Sequence, residues 1–135
     1  MKIYLAGPMS HLPDYNYPAF HAAAAQLRAH GHTVENPAEN PEPECKTYEG
    51  YLRMSLAQVL RCDTVAVLPG WELSKGSKEE LHVAHLLKMR VVRVQCLLNV
   101  WEDPLLKPAA AHHGQAFRTG VPVFTRSTDG GEVGQ

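Results

Sequence analysis

Four short apolar runs, separated by segments of helical period, constrain this chain more than any other feature. Lys2-Ile3-Tyr4-Leu5-Ala6 is almost wholly apolar, the pattern of a strand buried on both faces. His32-Thr33-Val34-Glu35 is a weaker run, Asp63 opens the run Thr64-Val65-Ala66-Val67-Leu68, and Arg90-Val91-Val92-Arg93-Val94 is the fourth. The first helix starts at Asn16-Tyr17-Pro18, with Asn16 as N-cap and Pro18 in the first turn, and Gly31 ends it. Phe20, Ala23, Ala24 and Leu27 recur along it at helical spacing. A second helix is expected from Tyr48 to Arg61, with Leu52, Leu56, Val59 and Leu60 on one face. A third is expected from Lys78 to Lys88, burying Leu81, Ala84 and one of Leu86 and Leu87. The order β-α-β-α-β-α-β implies right-handed parallel crossovers in a three-layer α/β fold. The sheet has four to five strands and helices on both faces. Its fifth strand would be Val121-Pro122-Val123-Phe124, where Pro122 suits an edge.

Composition narrows the class of partner. The chain has 135 residues, 44% of them apolar, and a net charge of −1, so one domain with a real core is expected. Without a basic excess, an extended nucleic acid is disfavoured, whereas a small anion needs only a local site. Cys45, Cys62 and Cys96 form no C-x-x-C pair and suit reduced thiols. No signal peptide and no run of membrane-spanning length is evident, so a cytoplasmic protein without membrane association is expected. His82 and His85 share a helix and His112-His113 are adjacent, but no ligand spacing completes a metal site.

In open α/β sheets, ligands bind outside the carboxyl ends of the strands, where the strand order switches. That brings Gly7-Pro8-Met9-Ser10, Asn36-Pro37, Pro69-Gly70-Trp71 and the segment from Gly76 to Glu80 around one crevice. Glu80 is the candidate catalytic group. A carboxylate in the first turn of a helix is stabilised by the helix dipole, stays ionised, and can face or attack an anomeric carbon. The competing reading is structural: Ser77-Lys78-Glu79-Glu80 has the form of a capping box. Tyr4 points to the opposite side of its strand from Ile3 and Leu5. It either orients Glu80 through its hydroxyl or is a core aromatic. Gly7-Pro8 and Gly70 allow close approach of a ligand to the backbone, or simply make turns. Trp71 can stack on a base or cover the core edge, and Asn36 can bond a base or sugar or shape the turn before Pro37.

These residues carry a resemblance. Ile3 through Ser10, Asp14-Tyr15-Asn16-Tyr17-Pro18-Ala19-Phe20, Gly31 through Glu39, and Cys62-Asp63 through Leu81, in this order, resemble the nucleoside 2-deoxyribosyltransferase-like superfamily. The similarity is closest to its small uncharacterised branch common in phage and prophage genomes, and covers roughly residues 1–95. It implies a flavodoxin-like (Rossmann-like) fold, a homodimer or higher homo-oligomer, and no metal or organic cofactor. The implied activity is cleavage of the base–sugar bond of a nucleoside or nucleoside 5′-monophosphate, the sugar passing to water or to another base. The alternative is a non-catalytic nucleotide sensor on the same fold. By resemblance, Glu80 in Gly76-Ser77-Lys78-Glu79-Glu80-Leu81 is the nucleophile, Tyr4 orients it and Gly7 borders the substrate. Pro8, Met9, Asn36, Ser55, Gly70, Trp71 and Gly76 complete the expected substrate contacts. Two positions depart from the pattern. Ser55 stands where relatives carry an aspartate that helps handle the base, and a neutral serine is a poor general acid. His82 stands where a glycine is common. The expected organisation is the deoxyribosyltransferase-like domain over residues 1–98, a C-terminal extension over 99–125 packing on it, and a disordered tail over 126–135.

Overall fold

The computed structural model describes residues 1–99 and Leu105. The expected strand at 121–124, the paired His112 and His113, the extension beyond Asn99 and the tail at 126–135 lie outside the described residues. Among those described, a parallel sheet has the strand order β2-β1-β3-β4, from β1 (Lys2–Ala6), β2 (Thr33–Glu35), β3 (Thr64–Val67) and β4 (Arg90–Arg93). Ile3 is level with Val34 on one side and Thr64 on the other, and Val65 with Val91. This is the flavodoxin-like order, with its switch point between β1 and β3.

Period-2 alternation in β1 builds two different cores. Ile3 and Leu5 join Val34, Ala66 and Leu68 under α1 (Tyr17–Ala29) and α4 (Val94–Leu98). Tyr4 and Ala6 join Val65 and Val67 under α2 (Tyr48–Leu60) and α3 (Lys75–Leu86), whose Val59, Leu81 and Ala84 cover them. The handedness of parallel crossovers requires this split. The chain moves one way from β1 to β2 and the other way from β2 to β3 and on to β4, so α1 lies on one face and α2 and α3 on the opposite one.

Helix ends follow local chemistry. Gly31, at φ 91°, ends α1, and the Gly31 and His32 N–H groups donate to the Arg28 and Leu27 carbonyls at 2.9 and 3.2 Å. These are the two bonds of a Schellman motif. Thr47 caps α2, its hydroxyl accepting from the Gly50 N–H. Asn16 occupies the N-cap position of α1 but is left-handed and makes no capping bond with its side chain. Its amide donates instead to the Pro8 carbonyl at 3.0 Å, tying the helix start to the loop after β1.

Two expected faces are corrected. Leu60 is 63% exposed, because α2 turns Ser55, Gln58 and Val59 toward the sheet. Leu86 and Leu87 are both exposed, at the end of α3 just before the left-handed Lys88. Gly7 is required where it stands. A Cβ there would lie 2.9 Å from Leu68 Cβ and 3.3 Å from Phe20 Cζ. Gly7→Ala is therefore expected to lower stability by about 1–3 kcal/mol, the usual range for overpacking, as measured by urea denaturation.

Candidate active site

The residue at the centre of the site is placed by α3, and α3 starts one turn earlier than its sequence pattern suggests. Ser74 is its N-cap, the Ser74 hydroxyl accepting from the Ser77 N–H at 3.1 Å. Ser77 is therefore inside the helix, and the capping-box reading of Ser77 to Glu80 is overturned. Glu80 lies in the second turn, beyond the orphan N–H groups that would hold a first-turn carboxylate. Helical spacing from the buried Ser77 and Ala84 turns Glu80 toward the sheet, where it is 7% exposed.

There it meets Tyr4. The Tyr4 hydroxyl, on the α2/α3 face of β1, donates to Glu80 Oε2 at 2.8 Å in a buried contact spanning 76 positions of sequence. Burial pushes the Glu80 carboxyl up to about 7, against the pull of hydrogen bonds from Tyr4 and Ser55. The expectation of a permanently ionised carboxylate is thus corrected: near neutral pH Glu80 is a mixture of acid and anion. Burial, followed by the nearby Glu80 charge, holds the Tyr4 hydroxyl well above the usual phenol range, so Tyr4 is a standing hydrogen-bond donor. Ser55, buried on α2, stands beside both groups. Its single hydroxyl proton goes to the Leu52 carbonyl at 3.1 Å, and a turn of the hydroxyl is needed to offer it to Glu80.

The surrounding loops meet as the sheet topology requires. Gly70 is left-handed at φ 86°, and a Cβ on it would lie 3.2 Å from Pro8 Cγ, so the loops after β1 and β3 touch. Trp71 packs against the apolar cluster that contains Tyr4. Met9 turns the other way and packs on the α1 side. Asn36 is buried and engaged, its Oδ1 accepting from the Ala38 N–H at 3.0 Å and its amide facing His21 Nδ1 at 3.3 Å. This is the turn-shaping role. Gly76 is half-buried with open space around its Cα, so no neighbouring atom demands a glycine there.

Several further features lie around the crevice. Tyr48, at the start of α2, has its hydroxyl raised by burial and then by the charges of Glu79 and Glu80, which places it near the acid. The Lys75 ammonium lies 4.7 Å from the centre of its ring and joins the beginnings of α2 and α3. Ser77 Oγ is buried with no partner among the described residues. The three residues Asp14, Tyr15 and Asn16 are all left-handed, at φ 51°, 52° and 60°, an uncommon run for non-glycine residues. Helical period alone does not reveal the contact between Tyr48 and Lys75, because it joins two different helices.

A separate shallow depression lies at the ends of β3 and β4, bordered by Gly70, Trp71, Glu72, Arg93 and Gln95. Neither Tyr4 nor Glu80 borders it. Among the described residues, no group of three His, Cys, Asp or Glu side chains is arranged to hold a metal ion. No helix among them is long and apolar enough to cross a membrane.

Fold and site together define a doubly wound α/β protein with a buried carboxyl–tyrosine pair beside the topological switch point. The chain belongs to the family described as domain of unknown function DUF4406, which it matches over residues 1–93. It matches no curated protein and no solved structure.

The raised Glu80 value has a consequence for stability. An acid that titrates at about 7 when folded and near 4.5 when unfolded holds its proton longer in the native state. Its contribution is fully present below pH 4.5 and is lost as pH rises to about 7. Each tenfold difference in proton affinity is worth roughly 1.4 kcal/mol, so the loss is about 3 kcal/mol. Glu80→Gln keeps an acceptor for Tyr4 and has no charge to bury. Its denaturation free energy is expected to gain on the wild type's across that interval and to run parallel to it above pH 8.

Proposed function

We propose that this protein cleaves the N-glycosidic bond of a nucleoside or nucleoside 5′-monophosphate, with Glu80 as nucleophile. The observation that carries the reading is the buried 2.8 Å hydrogen bond from Tyr4 to Glu80 beside the switch point of the sheet. A carboxyl in a helix that serves only the fold has no need of burial or of a tyrosine from another element, and Ser74 already caps α3. The resemblance to nucleoside 2-deoxyribosyltransferase-like proteins points to the same two residues.

In this mechanism Tyr4 holds one carboxyl oxygen and leaves the other to attack C1′ of the sugar. The C1′–N bond breaks and its electron pair leaves with the base, which takes a proton. Water or a second base then attacks C1′ and releases Glu80 from the glycosyl ester. Desolvation keeps the carboxylate reactive, and the Tyr4 bond keeps a useful fraction ionised at neutral pH. Ser55 stands where the resembled superfamily carries an aspartate, and a hydroxyl can orient a base but is a poor source of its proton. Water is the remaining donor, and substrates whose bases leave readily are favoured.

Ser55 also supports the second reading, a nucleotide-binding protein that does not turn its ligand over. The two separate on free-base release from a panel of deoxynucleosides, ribonucleosides and their 5′-monophosphates. The enzymatic reading expects release by the wild type and a loss of at least about 100-fold in Glu80→Ala. Saturable binding with no release from any member would establish the sensor.

The rate has a signed pH dependence. The nucleophile must be ionised, so kcat/KM is expected to rise with pH through about 7. Tyr4→Phe removes a bond that lowers the Glu80 value, so the midpoint should move to higher pH, with a lower rate at pH 7. An unshifted profile in Tyr4→Phe would show that Glu80 is not the titrating nucleophile.

A further inference from the structure

We propose that the clasp of Lys75 on Tyr48 receives the leaving base. The Tyr48 ring stacks on the base, and the Lys75 ammonium meets the negative charge that develops as the glycosidic bond breaks. The inference rests on the glycosidase reading and supplies a charge for the base that Ser55 lacks. Its position in the fold carries it. Tyr48 and Lys75 are the first residues of α2 and α3, and the ammonium lies 4.7 Å from the ring centre. Tyr48 stands seven positions before Ser55, which is two turns along the same helix face and about 10 Å. Lys75 stands five positions before Glu80, about 7.5 Å along its helix. In a parallel α/β sheet helices begin at the carboxyl ends of the strands, so the clasp bridges α2 and α3 at the mouth, above the buried pair. The charge of Glu80 is felt at the Tyr48 hydroxyl, in keeping with that placement.

Both members are open to a ligand. Lys75 is exposed and Tyr48 is 40% exposed. An exposed cation–π contact is weak, so a base can take the ring face and leave the ammonium at its edge. Glu79, one turn further along α3, is the carboxylate that would compete for Lys75, and no ion pair joins the two among the described residues. When the C1′–N bond breaks, its electron pair stays on the base, which is anionic until water protonates it. That charge spreads over ring nitrogens and any ring carbonyl, all of them acceptors for an ammonium. Lys75 keeps its own proton and acts as a cation already in place where charge develops.

The test compares base release by the wild type, Lys75→Gln and Lys75→Arg on substrates that differ in the acidity of the base. The series is 5-fluorouracil, uracil and thymine nucleosides for a pyrimidine enzyme, and 2-fluoroadenine against adenine nucleosides for a purine one. Lys75→Gln is expected to lower kcat/KM by at least about tenfold on the least acidic base and by about threefold or less on the fluorinated one. Lys75→Arg keeps the charge and should stay within about threefold throughout. Tyr48→Ala should weaken calorimetric binding of the same nucleosides to Glu80→Gln by about tenfold, and Tyr48→Phe should not. A Lys75→Gln loss that is equal for every base, or no loss, would overturn the role of Lys75 while Glu80-dependent release left the glycosidase standing. No release by the wild type, with binding that still depends on the Tyr48 ring, would remove the glycosidase and keep only the stacking site. No release and no such binding would remove both.

Discussion

Burial of β1 on both faces is the constraint on which this structure depends. A strand in the middle of a parallel sheet has no solvent side, so successive residues serve two different cores. Ile3 and Leu5 meet the α1 side, while Tyr4 and Ala6 meet the side of α2 and α3. One polar atom, the Tyr4 hydroxyl, is thereby carried into the interior, away from bulk water. A hydroxyl buried there needs an acceptor, and Glu80 supplies it at 2.8 Å. The same bond partly compensates a carboxyl that would otherwise be costly to bury. Each group solves the other's desolvation, and the pair joins the first strand to the third helix.

The loops after β1 and β3 meet closely beside that pair. Gly7 packs against Leu68 and Phe20 with no space for a side chain, and the loop after it is held by Asn16 at the Pro8 carbonyl and by contact with Gly70. The α2 and α3 side carries Ser55 and the Lys75–Tyr48 contact. The Ser55 hydroxyl can exchange its partner, and the Tyr48 ring under Lys75 is partly exposed.

Legibility in the sequence divides along the range of the interactions. The strands, the three long helices and the stop at Gly31 are readable, because they follow from apolar runs, helical spacing and backbone freedom within a few residues. Tyr4's orientation is readable for the same reason, from period-2 alternation in a strand. The start of α3 is misleading. Ser77-Lys78-Glu79-Glu80 satisfies a cap pattern, but Ser74 does so one turn earlier, and the two are equivalent until the loop from Trp71 to Leu73 is in place. The inward face of α2 is misleading as well. Its leucines suggest one stripe, yet packing against the sheet selects Ser55, Gln58 and Val59.

By itself the sequence determined the layered parallel architecture and the residues that gather at the ends of its strands, since both follow from periodicity and the handedness of crossovers. Only the tertiary structure decided what those residues are to one another. It made Glu80 the buried partner of Tyr4 and not a helix cap, and Asn36 the anchor of a turn. Those two roles rest on hydrogen bonds that only the folded chain brings together. Desolvation and hydrogen bonding between residues dozens of positions apart set those roles, and a linear pattern carries neither the distance nor the dielectric on which they depend.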